Sequence, residues 1–289
     1  MLLFAASAPF YKDVSEGYQY QNVGHKKQML DSVKKDSLDV LLMGDSQVWA
    51  GLSPLQLYGE YGIASYNCAT SGQCTYDTMI LLKEALKRQN PKIVVIGTSS
   101  FYSGPQPLKF LLTHILPVFH YHGFSNRNTK AYGDEKYLGA HLVNTVDPYT
   151  GSGKYMEKNK KCDEMSPIQK TYLDDMKDIC KARGIKLVFV TMPTGVNWTD
   201  GKHDAVQKYA DEYNIPYYDY NETKAFTRLG FNWSTDTRDA GKHVNISGSI
   251  KITRDFGRIL KAHYTLQDHR GESEYQSWEN EYKNCGFYS

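Results

Sequence analysis

At 289 residues and a formal charge of +2, the chain is long enough for one large domain or two small ones, and its charge favours no particular partner. Nothing in it concentrates basic residues as a nucleic-acid binder does, so nucleic acid is not an expected partner. The five cysteines, Cys68, Cys74, Cys162, Cys180 and Cys285, lack the paired CxxC spacing of a metal site. Their odd number leaves at least one unpaired. Cys68 and Cys74 stand near enough in sequence for a loop disulfide, and ordinary buried thiols are the alternative.

Met1 to Phe10 is apolar, yet too short to span a bilayer and without the basic start of a signal peptide. It reads as the end of a longer membrane segment lying upstream. Residues 1–38 form a lead-in and a helix, from His25 to Lys35, with Met29, Leu30 and Val33 at helical spacing. Residues 39–265 form the main domain.

Within it, Val40-Leu41-Leu42-Met43 is a short apolar run that stops at Gly44-Asp45-Ser46, as a buried parallel strand stops at a turn. Ile63 to Cys68 is a second strand, followed by a small-residue loop through Gly72. Thr75 to Arg88 is a helix with Met79, Leu82, Ala85 and Leu86 on one face. Lys92 to Thr98 is the clearest strand, and Pro107 to Phe119 reads as a helix. From about 120 to 166 periodicity is lost, which marks an insertion placed to cover a site.

Ser166-Pro167 opens another helix that Gly184 ends. Ile185 to Val190 is a strand, Asp200 to Tyr213 a helix, and Ile215 to Tyr220 an edge strand containing a proline. Ser247 to Tyr264 is the last helix of the domain. The tail, 266–289, carries Tyr275, Trp278, Tyr282 and Phe287, and reads as an irregular wrap or a partner contact. The alternation predicts an α/β fold, a three-layer sandwich around a parallel sheet of about five strands.

In such a sheet ligands bind past the carboxyl ends of the strands, where Ser46 falls. A Gly-Asp-Ser turn is equally an ordinary helix cap. Asp239-Ala240-Gly241-Lys242-His243 supplies an acid and a histidine just before the last helix. A serine nucleophile needs a base of suitable pKa, and His243 fits that role. Asp239 is the first candidate for the acid that orients it, and Asp236 the second.

Taken together, these stretches resemble the SGNH/GDSL hydrolase superfamily, in particular bacterial members similar to the D-alanine transfer protein of teichoic acid synthesis and to alginate O-acetylation proteins. Gly44-Asp45-Ser46-Gln47 is similar to its nucleophile block, Asn67 to Gln73 to its second block, and Asp239 to Asn245 with Gly248 to its last. The resemblance implies a flavodoxin-like fold, Ser46, His243 and Asp239 as catalytic residues, and oxyanion donors at the Ser46 and Gly72 N–H groups.

Two positions depart from the pattern. The family's third block carries an asparagine where this chain has Thr98-Ser99-Ser100, whose hydroxyls are the candidate substitutes, along with a donor from the insertion. The acid also precedes the histidine by four residues instead of three.

The resemblance further implies an ester hydrolase or O-acyltransferase acting on an acylated cell-surface or extracellular polysaccharide, or a small acyl ester. No metal or organic cofactor is implied. The expected setting is extracytoplasmic, in the cell envelope, anchored through the upstream segment and beside membrane-associated assembly proteins. The rival reading is an inactive glycan-binding or assembly module on the same fold. His114, His120 and His122 lack a carboxylate at fixed spacing, so they read as loop or substrate-lining residues instead of metal ligands. Four Asn-x-Ser/Thr matches, at Asn197, Asn221, Asn232 and Asn245, carry meaning only in a eukaryotic secretory setting.

Overall fold

The computed structural model describes residues 21–103, 137–158 and 162–288. The lead-in before Gln21, the Pro107 to Phe119 helix, the three insertion histidines and part of the insertion lie outside the described residues.

Five short strands form one parallel sheet: β1 (Val40–Met43), β2 (Ser65–Asn67), β3 (Ile93–Gly97), β4 (Lys186–Thr191) and β5 (Tyr217–Asp219). Their order is β2-β1-β3-β4-β5, the doubly wound flavodoxin-like order. Val40 registers with Ser65 on one side and Ile93 on the other, and Ile93 with Lys186. β5 is an edge strand, as its proline predicts, although the strand is shorter than the apolar run around it.

Alternation along the strands divides the core in two. Leu41, Met43, Val94, Ile96, Leu187 and Phe189 face one layer of helices. That layer holds α1 (Gln21–Ser32), α4 (Thr75–Ala85), α5 (Pro167–Ala182) and α6 (Asp200–Tyr213). Val40, Leu42, Ile93, Val95, Val188 and Val190 face the other. There lie α2 (Ser46–Gly51), α3 (Pro54–Tyr61), α7 (Thr223–Leu229) and α8 (Ile246–His263), with Val48, Leu57, Ala225, Ile252, Phe256 and Leu260 buried against the sheet. Central strands covered on both faces have no polar side to show, which is why β1 and β3 read as unbroken apolar runs.

Several elements go beyond the sequence reading, α7 among them. α3 starts at a Ser53 cap, whose hydroxyl accepts from the Gln56 N–H, with Pro54 at its first position. The tail is no irregular wrap: α9 (Gln276–Asn284) packs on α3, with Tyr282 against Gly59 and the Trp278 ring 5.7 Å from Tyr58. The acid–histidine stretch is a small antiparallel hairpin of β6 (Thr237–Arg238) and β7 (His243–Val244).

The cysteines are all free thiols, Cys68 and Cys74 included, and burial pushes both of those up to about 12, which leaves them inert. Among the described residues, no helix is long and apolar enough to cross a membrane.

Candidate active site

The strand order reverses between β1 and β3, so the crevice beyond their carboxyl ends is the natural ligand site of this sheet. Both strands end there in tight turns. Gly44 has φ 144°, and a Cβ on it would meet Val48 Cγ2 at 3.1 Å and the Gly97 backbone at 3.2 Å, so the turn after β1 requires glycine. Asp45 then caps α2: its Oδ1 accepts from the Gln47 N–H at 3.0 Å and from the Ser99 hydroxyl at 2.7 Å. Burial pushes the Asp45 carboxyl above the ordinary range, against those hydrogen bonds, which pull it down. Ser46, the first residue of α2, is thereby presented at the rim of the sheet.

The β6–β7 hairpin brings the far end of the chain to the same rim. Ser46 Oγ lies 2.9 Å from His243 Nε2, and His243 Nδ1 lies 2.8 Å from Asp239 Oδ2. A carboxylate only accepts, so Nδ1 carries the imidazole proton and Nε2 is left to accept from the serine hydroxyl. Burial holds His243 below its ordinary pKa, partly opposed by Asp239 and reinforced by the Arg238 charge. The imidazole is therefore neutral at pH 7, the state a general base needs. Asp239 Oδ2 also accepts from Arg238 Nη1 at 2.7 Å. Asp236, the second candidate acid, is fully buried elsewhere, accepting from the Asn232 N–H and Lys251 Nζ at 2.7 Å each.

The longer acid-to-histidine spacing has a local cost. Asp239, Ala240 and Gly241 all take positive φ, at 55°, 53° and 80°. For residues with a Cβ this conformation costs about 1–2 kcal/mol, least for Asp, and it persists only where neighbours hold it. Through this turn, Asp239 and His243, four positions apart, meet across the hairpin.

The Gly72 loop follows β2, with the Thr70 N–H donating to Gly44 O at 3.4 Å and Gly72 itself exposed at φ 69°. The hydroxyl substitutes for the missing asparagine are spent. Ser99 donates to Asp45, Ser100 to Gly97 O at 2.6 Å, and Thr98 pairs with Thr191 at 2.5 Å, fully buried. Asn67 is structural: its amide donates to the Val48 and Leu52 carbonyls and ties α2 to β2.

Residue types alone did not single out several side chains around the site. Gln47 Nε2 donates to Lys242 O at 2.7 Å. The Asp147 carboxylate accepts from the Ala240 N–H at 2.9 Å. The Tyr149 ring lies against Gly241 and Gly195, 5.0 Å from Trp233 and 6.1 Å from Tyr155. Gln47 was visible as the neighbour of Ser46. Asp147 and Tyr149 stand in the aperiodic stretch and gave no signal.

Fold and site together define a three-layer α/β protein with a serine, an imidazole and a carboxylate in line at the carboxyl end of its parallel sheet. No family model matches the chain, and no curated protein matches it. Among solved structures it is similar to a GDSL-like lipase from Bacteroides thetaiotaomicron, at 13% identity over 85% of this chain and 100% of that one, with a TM-score of 0.46. It is also similar to a lipase/acylhydrolase from Enterococcus faecalis, at 14% identity over 80% of this chain and 98% of that one, with a TM-score of 0.43. Likeness at this level adds no weight to the reading of the site.

Proposed function

We propose that this chain is a serine esterase of the SGNH type, acting through an acyl-enzyme on O-acyl esters. The observation that carries the reading is the unbroken hydrogen-bond line Ser46–His243–Asp239 at the rim of the sheet. Ser46 Oγ attacks the ester carbonyl as His243 Nε2 takes its proton, and the backbone N–H groups of Ser46 and Gly72 receive the oxyanion. Collapse of the intermediate breaks the ester C–O bond, and His243 returns the proton to the departing alcohol. A second hydroxyl compound then attacks the acyl-enzyme with His243 again as base. With water the outcome is hydrolysis, and with a sugar hydroxyl it is acyl transfer.

The substrate we favour is an O-acylated polysaccharide of the cell envelope, met outside the cytoplasm and beside membrane-associated assembly proteins. The motif resemblance suggests it, and the half-buried Tyr149, Tyr155 and Trp233 rings beside the Asp239–Gly241 turn support it, since aromatic faces suit sugar rings.

A fluorophosphonate probe tests the chemistry. Wild-type protein should label and Ser46→Ala should not, whereas folded wild type that fails to label favours the inactive glycan-binding module. An acetyl-ester assay with and without a glycan acceptor then separates the two outcomes: acceptor-dependent product marks a transferase, and water-only turnover a hydrolase.

A further inference from the structure

The turn that carries Asp239 and leads into His243 is held from two sides by side chains outside the Ser46–His243–Asp239 line. From the nucleophile's side, Gln47 is 3% exposed and its Nε2 donates at 2.7 Å to the carbonyl of Lys242, the residue immediately before His243. Its Oε1 is buried without a hydrogen-bond partner, so the buried amide is spent on this one contact. From the other side comes a segment within the insertion. Asp147 Oδ2 accepts from the N–H of Ala240, a non-glycine residue at positive φ. The Asp147 N–H donates to Thr237 O at 3.0 Å, and the Tyr149 N–H to Trp233 O at 3.3 Å. Tyr149 closes over Gly241, the third left-handed residue of the turn.

A turn with three successive residues at positive φ does not hold its shape by local preference, and such conformations survive where contacts over-determine them. Backbone bonds close part of the turn, from the Gly241 N–H to Arg238 O at 3.2 Å, the Lys242 N–H to Asp239 O at 3.1 Å and the Gly195 N–H to Gly241 O at 3.1 Å. The side-chain hydrogen bonds come from positions distant in sequence, Gln47 and Asp147, and they fall on the two peptide units that set where Asp239 and His243 point. We propose that Gln47 and Asp147 are positioning residues, an external clamp that keeps the strained turn in the one conformation aligning Asp239 and His243 with Ser46. The inference rests on the serine esterase reading and deepens it. Neither side chain touches a reacting atom; both act through the turn.

The test is turnover of p-nitrophenyl acetate, and the rate of fluorophosphonate labelling, by Gln47→Met, Asp147→Ala, Asp147→Asn and Ser46→Ala. Methionine keeps the length of Gln47 and removes the donor together with the unpartnered Oε1. Asparagine at 147 keeps an acceptor for the Ala240 N–H, and alanine does not. A shift of about 1 Å in catalytic geometry costs up to ~100-fold in rate. Gln47→Met and Asp147→Ala should therefore lose about 10- to 100-fold in kcat and in labelling rate, with KM within about twofold and the thermal midpoint close to wild type. Asp147→Asn should stay near wild type.

Wild-type kcat in Gln47→Met and Asp147→Ala would overturn the clamp, as would Asp147→Asn falling as far as Asp147→Ala, or losses that merely track the thermal midpoint. Ser46→Ala separates the two levels. If it is inert while the clamp variants are fully active, the clamp alone fails. If it turns over like wild type, or if wild type neither turns over nor labels, the esterase reading fails and the clamp with it.

Discussion

The geometry at Gly44 makes a quantitative demand on the turn that presents Ser46. Gly44→Ala places a Cβ on a residue at φ 144°, with Val48 Cγ2 at 3.1 Å and Gly97 Cα and N at 3.2 Å. The dihedral alone costs about 1–3 kcal/mol. The contacts add to it, because Gly97 is paired backbone of β3 and cannot retreat without disturbing the β3–β4 ladder, in which it registers with Val190. An overpacked site of this kind costs about 1–3 kcal/mol, so a total of about 2–6 kcal/mol is expected.

With a urea m-value of roughly 3 kcal/mol per molar, the midpoint should fall by about 0.7–2 M. Gly72→Ala is the internal control. Its φ of 69° is also positive, but nothing lies within 4 Å of the added Cβ, so it should cost only about 1 kcal/mol and about 0.3 M. Tryptophan fluorescence during urea titration reads both. A Gly44→Ala midpoint no lower than that of Gly72→Ala would refute the account of the turn.

The site yields further expectations. Asp239→Asn removes the acceptor that holds the His243 proton on Nδ1, and kcat should fall about 100-fold or more, while Asp236→Asn, which loses the buried Lys251 pair instead, should lower stability and leave kcat near wild type. As the proposed base, His243 acts in its neutral form, and its pKa lies below the ordinary 6.5, so kcat/KM should rise with pH through a midpoint below 6.5; a midpoint above 7 would contradict the burial argument. The same depression means that the unfolded chain binds the proton more readily. This group's contribution to stability is therefore present above 6.5 and is lost as pH falls below it, which urea midpoints at pH 5 and 7.5 can compare between wild type and His243→Gln. Asp219 is buried, accepting from Trp198 Nε1 at 2.9 Å, from Asn221 N and Nδ2 at 2.8 and 2.9 Å, and pairing with His203 Nδ1 at 2.8 Å; Asp219→Ala should cost about 3–5 kcal/mol in a urea titration, because it strands those donors.

Much of the architecture was legible because burial leaves a plain mark on composition. β1, β3 and β4 are covered on both faces, so their apolar runs stand out between turn residues. α5 announced itself by Ser166 and Pro167 at one end and Gly184 at the other. α3 carried the same Ser-Pro signature at Ser53 and Pro54 but is only two turns long and buried on most sides, which blurs its period. α9 escaped notice because no side chain of it is fully buried; it is placed by aromatic contacts with α3, and periodicity does not encode those.

By itself, the sequence determined the alternation of strands and helices, the Gly44-Asp45-Ser46 turn, and which serine, histidine and acid are chemically able to form a site. Those properties are local: they follow from side-chain size, from φ preference and from pKa. Only the tertiary structure set Asp239, and not Asp236, beside His243, engaged the Ser99 and Ser100 hydroxyls elsewhere, and brought Gln47 and Asp147 to the turn before His243. Each of those outcomes depends on which groups meet after the chain has closed on itself. A hydroxyl's availability is settled by the partner that arrives, and that partner is as a rule remote in the sequence.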